Sequence, residues 1–236
     1  MMKKRKGGIS MASNQSNRRA FNRAVLFFAG FLFIHLAGVS ISIAQDSMAD
    51  LATGRTQMIG QPAPEWKLKE WVNSPGLEID QLSGKVILLR FFSDQPAGAA
   101  SIVDLDREFR SQGLVTVGVY VPSPMPTQVP ASQVKRLATA MGFNFPVGID
   151  SSWATVNRYW LDRADADMTA VTFLIDRKGV IRYIQPDGGY DRDSNRKGRR
   201  EFESLKRQLQ TLIKEEAEEN EAEAVKTGSF SGQEQK

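Results

Sequence analysis

Cysteine is absent from all 236 residues, and histidine occurs once, at His35. The chain can therefore form no disulfide, and it has no thiolate to attack a substrate or bind a metal. The one histidine sits inside an apolar run, which leaves no histidine-dependent triad and no zinc site. Acidic residues are missing from the whole N-terminal stretch; the first is Asp46. Seven of the 31 basic residues precede it (Lys3, Lys4, Arg5, Lys6, Arg18, Arg19 and Arg23). Without residues 1–44, the remaining 24 basic residues face all 27 acidic ones, a net of −3 against +4 for the whole chain. The basic balance belongs to the leader, so no nucleic-acid partner is expected. No internal repeat is visible.

What is present begins with an export pattern. Residues 1–23 are basic and polar, and residues 24–44 (AVLFFAGFLFIHLAGVSISIA) are almost wholly apolar. A charged region, an apolar region and a small-residue cleavage site occur in the order of a secretory signal. Ser42 and Ala44 fit the cleavage positions and predict a mature start at Gln45. The same 21 residues are also long enough to span a bilayer as an uncleaved anchor. Arg18-Arg19-Ala20-Phe21 resembles a twin-arginine export signal, although Asn22 replaces its usual leucine; a Sec signal is the preferred reading. Either route places the chain in the periplasm or cell envelope, with membrane contact only through residues 24–44. Residues 45–58 read as a linker, residues 59–214 as the folded domain, and residues 215–236 as an acidic tail. The run from Glu215 has no apolar face and reads as a solvated helix extension or a disordered tail.

The domain opens at Gly60-Gln61-Pro62-Ala63-Pro64, which the prolines keep extended. Trp66–Val72 and Gly76–Ile79 are expected to pair as a short hairpin. Val86–Ser93 is a buried strand, continuously apolar except for Arg90, and such a run implies helices on both faces of its sheet. Ile102, Leu105 and Phe109 then repeat at helical spacing up to Gly113. Leu114–Val121 is a second β-branched strand, so the pair should be parallel. Four prolines in Pro122–Pro130 make a stiff loop. Ser132 opens a helix ending at Gly142, Phe145–Asp150 is a short strand, and Asp150 or Ser151 caps a helix carrying Trp153, Val156 and Trp160. Thr169–Asp176 and Val180–Gln185 form a hairpin about Arg177-Lys178-Gly179. Phe202, Leu205, Leu209, Leu212 and Ile213 mark a final amphipathic helix.

Several of these pieces resemble one family in order. Ile59–Pro64, Gly84–Phe92, Gly113–Val119, Phe145-Pro146-Val147 with Asp150, and Thr172–Gly179 are similar to the exported redoxins of the TlpA-like and AhpC/TSA peroxiredoxin-like superfamily. The resemblance covers about residues 59–190. It implies an α/β thioredoxin-like fold, with a central mixed sheet flanked by helices on both faces and an N-terminal hairpin extension. In that family a Cys-x-x-Cys dithiol follows the first central strand. Gln95, Pro96, Ala97 and Gly98 occupy those positions here, keeping only the proline. Ala170 stands where thioredoxins place a cis-proline.

Glutamine does not ionise and glycine has no side chain, so thiol–disulfide exchange and peroxide reduction through a sulfenic acid are both expected to be absent. No cofactor is expected. What the resemblance leaves is a cleft bordered by Asp94, Arg90, Thr169, Ala170 and the Pro122–Pro130 loop, where the family binds extended peptide. The expected role is a redox-inactive binding or scaffold module with a protein or peptide partner. The alternative is non-thiol chemistry in the same cleft, with Arg90 as its pointer and Asp187, Tyr190 and Arg163 on the rim. The plainer reading of Arg90 is an ion pair with Asp94 that pins the turn. A basic patch over Arg192–Arg200 could also face anionic lipid if the anchor stays uncleaved, although the acidic run beside it opposes this.

Overall fold

Val86–Phe92 (β2) is buried along its entire length and lies near the centre of a six-stranded sheet. The computed structural model describes residues 54–94, 97–162, 170–186 and 189–230, with side chains as far as Glu215. Around β2 the elements follow the sequence pattern closely. They are β1 (Glu70–Val72), α1 (Ala99–Phe109), β3 (Leu114–Tyr120), α2 (Ala131–Ala140), β4 (Val147–Ile149), α3 (Ala154–Val156), β5 (Val171–Ile175), β6 (Ile181–Pro186) and α4 (Arg196–Phe230). The sheet order is β1-β4-β3-β2-β5-β6. β2 runs parallel to β3, joined to it by a crossover through α1, and antiparallel to β5.

Side-chain alternation sorts the core into two layers. Leu88, Phe92, Tyr120 and Leu174 face α1, α2 and α4, where they meet Leu105, Phe109, Val134, Leu205 and Leu209. Ile87, Leu89, Phe91 and Phe173 face the opposite way, toward Trp66, Tyr159 and Trp160. Both faces of the sheet are thus covered, which explains why β2 reads as an apolar run broken only by Arg90.

The expected hairpin at residues 66–79 does not form. β1 pairs antiparallel with β4 instead, and Ile79–Leu82 is a short 3₁₀ turn. Asn73 takes a positive φ of 65° and donates to the carbonyls of Phe143 and Phe145 at 2.9 and 3.0 Å. That contact turns the chain toward β4, a long-range effect that local alternation does not encode. The entry segment covers part of the β6 edge: Gly60 N–H donates to the Ile181 carbonyl at 2.8 Å, and Ala63 N–H to the Gly179 carbonyl at 2.8 Å.

α2 begins one residue before the expected cap, at Ala131, after an extended Pro130. The Trp153 helix holds only one α-helical turn before Asn157–Leu161 widens to a π-helix that buries Tyr159 and Trp160. Asp150 does cap it, accepting from the Thr155 and Val156 N–H groups at 2.9 and 2.8 Å. The 5–6 hairpin forms as expected, with a bulge between Leu174 and Ile175.

Candidate functional site

Topology alone collects the candidate residues at one end of the sheet. β2 and β3 are parallel, so the turn after Phe92 and the proline loop after Tyr120 leave from the same edge. β5 is antiparallel to β2, with Phe91 opposite Val171, so Ala170 enters at that same end. The segment after β6 returns there as well, since β6 is antiparallel to β5.

Beneath the turn, Arg90 is the central group. It alternates with Leu88 and Phe92 and therefore points into the α1/α4 layer, where it is only 1% exposed. Its neighbours across the sheet are Gly118 and Thr172. Its guanidinium donates to Thr172 Oγ1 at 3.2 Å and to the Ala97 carbonyl at 3.3 Å. The Tyr190 ring closes it from the other side, 5.3 Å from the guanidinium carbon. Tyr190 in turn shares a 2.6 Å hydrogen bond with Thr172 Oγ1. A planar cation with several donors can hold one strand, one turn and one loop together in this way.

The turn itself is set by Gly98, which is buried and left-handed (φ 73°) at the N-cap of α1. A side chain at that backbone conformation is strained, and none is available to cap the helix. Ser101, also buried, accepts a hydrogen bond from the Arg192 N–H at 3.2 Å. The 189–194 loop thus lies against the first turn of α1, and Arg192 adds an ion pair to Asp104 at 3.1 Å.

Arg90 and Asp94 do not form the expected ion pair. Asp94 lies beyond the end of the strand, exposed, and accepts the Tyr120 hydroxyl at 2.6 Å. Burial, followed by the hydrogen bond and charge of Asp94, raises the Tyr120 phenol above its ordinary value. Sequence proximity suggested Asp94 because it is four residues away; strand alternation sends Arg90 inward instead. Tyr190 likewise is not a rim residue: it is fully buried under the turn. Thr172 and Tyr120 were not among the expected site residues, although the alternation of β5 puts Thr172 on the same face as Leu174, just as Arg90 shares a face with Leu88. Gln95, Pro96, Arg163, Thr169, Asp187 and the apolar segment 24–44 lie outside the described residues. Among the described residues, no helix is long and apolar enough to cross a membrane, and no group of three or more acidic or histidine side chains could hold a metal ion.

What remains open is the outer rim. Asp94 and Ala97 are exposed beside the loop Ser123–Gln128, where Met125 keeps 62% of its surface accessible. The Trp153 indole anchors that loop from beneath by donating to the Pro122 carbonyl at 2.8 Å.

A strand–turn–helix with a parallel crossover and a terminal hairpin is matched by one family profile, AhpC/TSA, over residues 59–184. The chain belongs to the AhpC/TSA family. It keeps the family fold without a single cysteine. Solved structures agree on the fold. A candidate protein disulfide isomerase from Bacteroides thetaiotaomicron is 20% identical, with a TM-score of 0.50 over 69% of this chain and 94% of the other. A hypothetical protein from Sinorhizobium meliloti 1021 is 18% identical, with a TM-score of 0.51 over 66% and 84%. The comparison with curated proteins found no match. In this AhpC/TSA chain, the turn that precedes α1 ends in a buried glycine and rests on Arg90.

Proposed function

We propose that this AhpC/TSA protein is a redox-inactive binding module of the cell envelope, which engages an extended protein segment across the outer rim of the former redox end. One observation carries the reading: the space behind the turn is filled by Arg90, Thr172 and Tyr190, while Asp94, Ala97 and the Ser123–Gln128 loop stay exposed. Among the described residues, the space behind the turn is taken up by these side chains. Arg90 reaches no solvent, so non-thiol catalysis through it loses its only pointer. An exposed rim with a stiff proline loop and a protruding methionine suits a segment laid along the surface, since Met adapts its shape to varied partners. Export is part of the proposal and rests on the order of charged, apolar and small residues in 1–44.

The test is affinity capture from the native host with the full-length protein and with Ala97→Trp. Ala97 is exposed, and the bond it accepts from Arg90 uses its backbone carbonyl, so the variant should fold. A discrete partner recovered with the parent and lost with Ala97→Trp supports rim binding. Equal recovery with both removes the rim from the account.

A further inference from the structure

α4 carries charge of opposite sign in its two halves. Between Arg196 and Arg207 there are six basic and two acidic residues; between Glu215 and Glu223 there are six glutamates and no base. Arg196, Arg199, Arg200, Glu203 and Arg207 line one solvent-open recess of about 610 Å³. Their spacing of three and four residues puts them on a single stripe. That stripe lies opposite Phe202, Leu205, Leu209 and Leu212, which are buried against the domain. Among the described residues, none of the four arginines has an ion-pair partner, whereas Lys206 on the flank holds Glu108 at 2.8 Å.

The acidic half is the second observation. Leu212 is the last residue of α4 in the core, yet the helix continues to Phe230. Eighteen further residues extend it by about 27 Å. Between Glu215 and Glu223 no residue is both apolar and larger than alanine, and a helix without an apolar face gains little from its own propensity and is stabilised by charge pairs or by a neighbour.

We infer that the arginine stripe of α4 receives the glutamate-rich extension of α4 from a second copy of this chain, in an antiparallel, two-fold pairing. With the two-fold axis near Gln210, the Arg196–Arg207 half of one helix lies beside the Glu215–Glu223 half of the other, and the contact is made twice. The stripe faces away from the domain, so the two bodies lie on opposite sides of the helix pair. An anionic membrane is the less fitting occupant. The glutamate run on the same helix opposes docking on an anionic surface.

Light scattering of the purified full-length protein at 25 and 500 mM NaCl tests this, alone and with Arg199→Glu/Arg200→Glu or Glu218→Arg/Glu221→Arg. The substituted arginines are exposed, and circular dichroism checks that each variant keeps its fold. The expected result is a dimer at low salt whose affinity falls at least tenfold at high salt. Each variant alone should be monomeric, and mixing the two should restore a dimer. A monomer at both salts overturns the inference, and so does a dimer that survives both charge reversals. Flotation with phosphatidylglycerol vesicles that needs Arg199 and Arg200, without self-association, also overturns it and assigns the stripe to lipid.

Discussion

The Tyr120 hydroxyl donates to Asp94 Oδ1 at 2.6 Å, tying the end of β3 to the turn that follows β2. These two strands are parallel neighbours, with Phe92 opposite Tyr120, so this bond fixes the turn against the sheet. Tyr120→Phe should cost about 0.5–1.5 kcal/mol, the net worth of one such hydrogen bond, measured by urea unfolding. The folded-state phenol titrates above its unfolded value. The folded state therefore binds more protons above pH of about 10, and stability falls as pH rises beyond that point. Tyr120→Phe should flatten this alkaline decline; an unchanged slope would contradict the assignment.

Arg90 holds the turn from within. Arg90→Met keeps the volume but removes donors to Thr172 and to the Ala97 carbonyl. The expected loss is about 1.5–3 kcal/mol for hydrogen bonds from a charged group. Arg90→Lys should recover only part of it, because an ammonium cannot span both acceptors with a planar fork. An Arg90→Met variant as stable as the parent would show that the cluster does not pin the turn.

The sequence exposed the strands, the crossover and the hairpin because their signals are local: a run in β2 that is apolar except for Arg90, and β-branched residues in β3 and β5. It also located the turn at Asp94–Gly98. It did not reveal the interior of that turn, because Arg90, Thr172 and Tyr190 are 18 to 100 residues apart and meet only through strand register. Proximity in sequence favoured Asp94 as the arginine's partner, and the fold assigned it to Tyr120. The pairing of β1 with β4 was hidden for the same reason: Asn73 reaches Phe143 and Phe145 across 70 residues.

Thr116 is a local misfit with a measurable consequence. Its hydroxyl is buried within β3 and has no hydrogen-bond partner among the described residues. Thr116→Val keeps the shape and removes an unsatisfied polar group, so it should stabilise the protein by about 1–2 kcal/mol. A lower thermal midpoint in the valine variant would mean that the hydroxyl is satisfied in solution.

Asp150 combines a capping role with burial. Burial raises its carboxyl above the ordinary value, against the lowering effect of hydrogen bonds from Val156, Thr155, Ser152 and Ala154. The folded state therefore binds the extra proton between the unfolded value near 3.8 and the raised one, and stability falls as pH rises through that window. Asp150→Asn should remove this slope, as read from urea midpoints between pH of about 4 and 7. Asp150→Ala should also lose the cap, at about 1–2 kcal/mol.

The central claim is that partner contact, not thiol chemistry, occupies the former redox end. Site-specific photo-crosslinking in the native host tests it most directly, with the reactive group placed at Ala97 or at the control position Thr139. Both positions are exposed, and Thr139 lies at the far end of α2. The account predicts a discrete cross-linked product from position 97 and none from position 139. No product at 97, or the same product from both positions, would contradict it.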